Sequence, residues 1–183
     1  MQIRKNTKLM TINALLLGLG LILHEITPVL ALPMEVDFAL IMLFTIIIIN
    51  NNLKFSLISG GLMGIFTAMT TKFPGGQLPN IIDKLLTALI VFILLALLRK
   101  SYFLRGLSEE RKNNLLMAII LPLGTIISGS IFLSFAKIIV GLPTGFLILF
   151  FSVILPSALL NTICGLFLYK IIIRALRSVA YNL

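Results

Sequence analysis

The sequence predicts an all-α integral membrane protein: six transmembrane helices, one membrane domain over residues 1–183, and both termini in the cytoplasm. Three observations lead there. Hydrophobic residues make up 59% of the chain and charged ones 11%, with a mean hydropathy of +1.13, far from soluble domains. Six apolar runs, residues 9–23, 36–49, 55–69, 81–98, 115–140 and 145–173, match helical spans of a bilayer core. A β-barrel would show alternation instead of continuous runs. Basic residues, finally, alternate with the runs. Arg4, Lys5, Lys8, Lys54, Arg99, Lys100, Arg105, Arg111, Lys112, Lys170, Arg174 and Arg177 fall on the side of the termini, and only Lys72, Lys84 and Lys137 fall opposite. The positive-inside rule makes the first side cytoplasmic. The net charge of +9 is thereby explained without a nucleic-acid partner.

The first run follows a basic start and ends at His24 and Glu25. Val29-Leu30-Ala31 after it has the form of a signal-peptide cleavage site. Removing the segment would spoil the charge alternation, so it is read as a retained helix. His24 is the only histidine and reads as an interfacial residue, since a metal site needs more ligands than this chain offers. Glu35 and Asp37 lead into the second run, which, like the third, needs polar end residues to reach across.

In the third run Gly60, Gly64, Thr67 and Thr71 share one helical face. Close helix packing accounts for the glycines, while Thr67 and Thr71 can either pack or line a site. The fourth run opens with Asn80, Asp83, Lys84 and Thr87, a polar stripe on one helix face. Pro79 suits the first helical turn, and Gly75 and Gly76 before it allow a sharp turn and close backbone approach. Free N–H groups at such a helix start favour an anion, with Lys72, Asn80 or Lys84 in support. Asp83 then accepts from an ammonium group. Alternatively Asp83 bridges to Lys84 or Lys72 and the turn is only a loop.

The last two runs are long enough to tilt or to extend beyond the membrane. Thr125, Ser128, Ser130, Ser134 and Ser157 read as hydroxyls bonded within or between helices, and Asn161 as a candidate site residue. Phe73, Phe38, Phe132 and Met69 are candidate walls for an aromatic ligand. Cys164, the single cysteine, lies in an apolar run and forms no internal disulfide. No Gly-x-x-x-x-Gly-Lys-Ser/Thr loop, Gly-x-Ser-x-Gly elbow or His-Glu-x-x-His motif is present, so neither ATP hydrolysis nor hydrolytic catalysis is expected, and no cofactor.

The block Thr70-Thr71-Lys72-Phe73-Pro74-Gly75-Gly76-Gln77-Leu78-Pro79-Asn80-Ile81-Ile82-Asp83-Lys84 resembles the hallmark of the TrpP-type tryptophan transporter family. Asn13-Ala14-Leu15-Leu16-Leu17-Gly18, residues 24–28 and Asp37-Phe38 resemble it too. The likeness covers about residues 7–173, and only residues 70–84 are distinctive. It implies a substrate-binding (S) component of an energy-coupling factor (ECF) importer, with an S-component-like bundle in the bacterial cell membrane. Such a protein takes tryptophan from outside and depends on a membrane coupling subunit and two ATPase subunits. S components of this type dock through Ala-x-x-x-Ala on the first helix, and Ala14 and Gly18 occupy those positions. The site residues it implies are Thr71, Lys72, Phe73, Gly75, Gly76, Gln77, Asn80, Asp83 and Lys84, with Asn161 added from the residues themselves. An S component for another aromatic or apolar compound (a vitamin or porphyrin), a stand-alone secondary transporter with Asp83 or Glu25 as proton carrier, and a non-transporting scaffold stay open.

Overall fold

The computed structural model describes residues 2–27 and 35–178; the cleavage-site reading at 29–31 and Pro28 lie outside the described residues. Among these, six long helices and no strand are found: α1 (Gln2–Ile26), α2 (Phe38–Asn50), α3 (Leu53–Met69), α4 (Gln77–Arg99), α5 (Glu109–Ile139) and α6 (Phe146–Ser178). Each apolar run of the sequence overlaps one of them. Four, α1, α4, α5 and α6, are long and apolar enough to cross a membrane on length and composition.

α2 is the centre of the bundle. Its residues from Ala39 to Ile48 are all buried, and every other long helix touches it. A helix that is apolar all round belongs inside. Leu40, Phe44 and Ile47 pack against Val91 and Leu95 of α4 and Met117 and Ile120 of α5. On the other side Met42 and Ile46 meet Leu16 and Leu17 of α1 and Met63 of α3. At 13 residues, or about 20 Å, α2 is shorter than a bilayer core, and its neighbours rather than lipid surround it.

Three asparagines make the turn out of α2. Asn50 donates to Asn13 Oδ1 of α1 at 2.8 Å, Asn51 takes the left-handed conformation that ends the helix, and Asn52 caps α3 by accepting from Phe55 N–H. α3 and α4 then pack most intimately of all pairs. The reason is Gly60 and Gly64: a Cβ on Gly60 would meet Ala88 Cβ at 2.5 Å, and one on Gly64 would meet Ile81 Cα at 3.0 Å. Gly75, with φ of +71°, reverses the chain between the two helices.

A 3₁₀ turn, Tyr102–Leu104, links α4 to α5. Ser108 caps α5 by accepting from Arg111 N–H, and Glu109 and Glu110 favour its first turn. α5 therefore begins six residues before the apolar run at 115, in residues too polar for lipid. There Arg99 donates to the Ile48 carbonyl at 3.0 Å and to Asn113 at 3.1 Å, tying three helices together. In α6, Phe150–Ile154 form a π turn. Pro156, which has no N–H to donate, follows this turn.

Candidate functional site

At the end of the bundle that carries the α3–α4 link, a cavity of about 620 Å³ opens among α2, α3, α4, α5 and α6. That is within the size range of small-molecule sites. Its walls are mostly apolar: Leu133 of α5, and Leu149, Val153 and Ile154 on or beside the π turn of α6. Phe73 from the link meets Phe132 of α5 edge to face, with centroids 5.4 Å apart and planes at 86°.

The floor is ionic. Lys84, 4% exposed, donates to Asp83 Oδ2 at 3.0 Å and to Asp37 Oδ2 at 2.9 Å. Asp83, 1% exposed, also accepts from Ser128 Oγ and Thr87 Oγ1, both at 2.9 Å. Asp37 is held from two directions. Its Oδ1 caps α2 by accepting from Leu40 N–H at 2.9 Å, and its own N–H donates to Asn161 Oδ1 of α6 at 2.9 Å. Asn161 in turn donates to Thr125 at 3.3 Å. One network thus ties α2, α4, α5 and α6 together beneath the cavity. Buried charges at this depth survive only when paired and hydrogen-bonded, and here every one is.

The rim is different. Lys72, 52% exposed, holds both oxygens of Glu35 at 2.9 Å. His24 of α1 reaches the same cavity, its buried Nδ1 lying 3.8 Å from Asp37 Oδ1 without a hydrogen-bond partner.

Thr71, Lys72, Phe73, Asn80, Asp83, Lys84 and Asn161, all expected from the sequence, line the cavity together. Gly75, Gly76 and Gln77 do not. Gly75 faces the Val140 side chain, Gly76 donates its N–H to the Phe73 carbonyl beneath Thr71, and Gln77 is exposed. Of the start of α4 only Asn80 reaches the cavity, and its amide gives one of its two N–H groups to the Gly76 carbonyl at 2.9 Å. Of the two open bridges, Asp83–Lys84 forms, whereas Lys72 pairs with Glu35 instead. Phe38 packs on the core around α2 and Met69 is exposed, so neither is a wall of the cavity.

Asp37, Glu35, His24, Thr125 and Ser128 are cavity residues that the sequence reading placed elsewhere. Thr125, Ser128 and Phe132 do carry a signal, since steps of 3 and 4 put them on one face of α5. At the other side of α1, Ala14 is exposed and nothing lies within 4 Å of a Cβ on Gly18, so that face has no close neighbour among the described residues.

Comparisons with known proteins agree with one another. The family model described as tryptophan transporter TrpP matches residues 6–177. A probable tryptophan transport protein of Clostridium perfringens is 64% identical over 177 residues, 97% of each chain. Proteins so described in Clostridium acetobutylicum and Bacillus subtilis are each 42% identical, over 96% of this chain and 98% and 96% of theirs. No solved structure matches.

Proposed function

The chain belongs to the tryptophan transporter TrpP family, and from that premise we propose that it is the tryptophan-binding S component of an ATP-driven ECF importer. It is a multi-pass membrane protein whose work is transport, not chemical conversion. In the proposed arrangement all six helices cross the bilayer as one membrane domain, both termini face the cytoplasm, and the cavity opens outward.

One observation supports a binding role above others: a cavity sized for a small molecule combines an aromatic, apolar wall with a buried ionic floor. An indole matches the wall of Phe73, Phe132 and Leu133. A zwitterionic backbone matches a cavity that also carries polar groups, Thr71, Lys72, Asn80, Asp83, Lys84 and Asn161. Gly75, Gly76 and Gln77 serve it indirectly, by shaping the turn that presents Lys72 and Phe73. Asp37 and Ser128 hold the floor in place.

Energy comes from partners in this reading. The open face of α1 at Ala14 and Gly18 meets the membrane coupling subunit, because small residues let helix backbones approach closely. Two ATPase subunits complete the module. Tryptophan uptake by cells carrying the protein with that module should require ATP hydrolysis. Gly18→Leu should abolish uptake and complex assembly while the isolated protein binds tryptophan as before. Uptake that persists without the ATPase subunits and collapses with the proton gradient would replace this reading with a stand-alone secondary transporter. Another compound copurifying in place of tryptophan would change the substrate and keep the class.

A further inference from the structure

The fixed charges of the cavity do not balance. Three carboxylates line it, Glu35, Asp37 and Asp83, against two ammonium groups, Lys72 and Lys84. Both ammonium groups are engaged, Lys72 by Glu35 and Lys84 by Asp83 and Asp37 together. Asp83 is closed off, with donors on both oxygens and almost no exposure. With His24 neutral, the surplus negative charge falls on Asp37, a quarter of whose side chain is exposed. Next to its Oδ1 stands the unpartnered His24 Nδ1 at 3.8 Å. A neutral imidazole can offer that nitrogen as an acceptor; being buried, it is reached only if the ring turns, whereas Asp37 is already open to the cavity.

The cavity offers a carboxylate far less. Beyond the N–H groups given to the Gly76 carbonyl and to Thr125, the amides of Asn80 and Asn161 keep one neutral N–H each, and no unpaired charge stands beside them. Among the described residues, the cation at the mouth is the half-exposed, already paired Lys72.

Building on the reading of this cavity as the tryptophan site, we propose that the ligand is recognised through its ammonium group, received by Asp37 beside His24, and that its carboxylate is dispensable. Indole-bearing amines without a carboxylate are then ligands of the same site. The carboxylate of tryptophan stays at the hydrated mouth.

Calorimetric titration of the purified full-length chain in detergent with tryptophan, tryptamine and indole-3-propionate tests this. Tryptamine should bind within about tenfold of tryptophan. Indole-3-propionate, lacking the ammonium group, should bind more weakly by about 10- to 150-fold, the worth of one charge-assisted hydrogen bond. Asp37→Asn keeps a good helix cap. It should weaken tryptophan and tryptamine by a similar factor while indole-3-propionate binding does not fall. Tryptophan binding with tryptamine a hundredfold or more behind it, or with indole-3-propionate its equal, would overturn this proposal and leave the tryptophan site standing. No binding by any of the three would remove both.

Discussion

Lys72 and Lys84 come from one polar block and line one cavity, yet they occupy different solvents. Lys84 sits inside α4, facing α5 and the cap of α2, and bridges two carboxylates with almost no exposure. Lys72 sits on the link before α4 and holds one carboxylate at the rim, half in water. Desolvation is costly for an ion in the first environment and slight in the second, so the same contact distance of about 3 Å carries different consequences. A buried pair matters chiefly for the unpaired charge that its loss leaves behind. An exposed pair is screened, and its partners rehydrate.

That contrast can be broken by substitution, beginning where the largest effect is expected. Lys84→Met strands Asp83 and Asp37 in a dry floor and should cost about 3–5 kcal/mol of stability and eliminate tryptophan binding. Thermal unfolding in detergent beside Lys72→Met is the measurement, and equal losses in the two variants would erase the distinction. Asp83→Asn keeps shape and removes one charge. By loosening Lys84, which also holds Asp37, it should weaken tryptophan binding by up to about tenfold, read by equilibrium titration, and an unchanged affinity would detach the floor from the site. Lys72→Met should change stability by no more than about 1 kcal/mol, with an affinity effect that shrinks as salt rises. Glu109→Gln, which loses the exposed Lys112 pair and a charge at the start of α5, both at the other end of the bundle, should leave affinity where it was. A drop there would mean that the two ends of the bundle are coupled.

How far the sequence carried the fold follows from what hydropathy measures. It locates apolar helix and misses helix that continues into water, so α5 starts at Glu109 rather than at residue 115, and α1 runs back to Gln2. The polar block at 70–84 was legible as a block because nothing else between two apolar runs resembles it. Its partners were not. Asp37 reaches Lys84 and Asn161 across 47 and 124 positions of chain, and no local period encodes such pairings. Gly75, Gly76 and Gln77 show the converse limit. Their residue types suit a turn that lines a cavity and one that lies beside it equally well, and only the placement of the turn separates the two.

The π turn of α6 has a consequence for how this helix tolerates changes of length. One residue advances an α-helix by about 100°, so a deletion at most points of α6 would swing Asn161 away from Thr125 and the Asp37 N–H. A π turn holds one residue more than an α turn. Removing a single residue within Phe150–Ile154 can therefore be absorbed by relaxation to ordinary helix, with the faces on either side still in phase. The cavity wall built by Val153 and Ile154 would change contour while Asn161 kept its bonds. Within this turn, and not elsewhere along the helix, deletion of one residue offers a way to reshape the cavity that leaves its ionic floor intact.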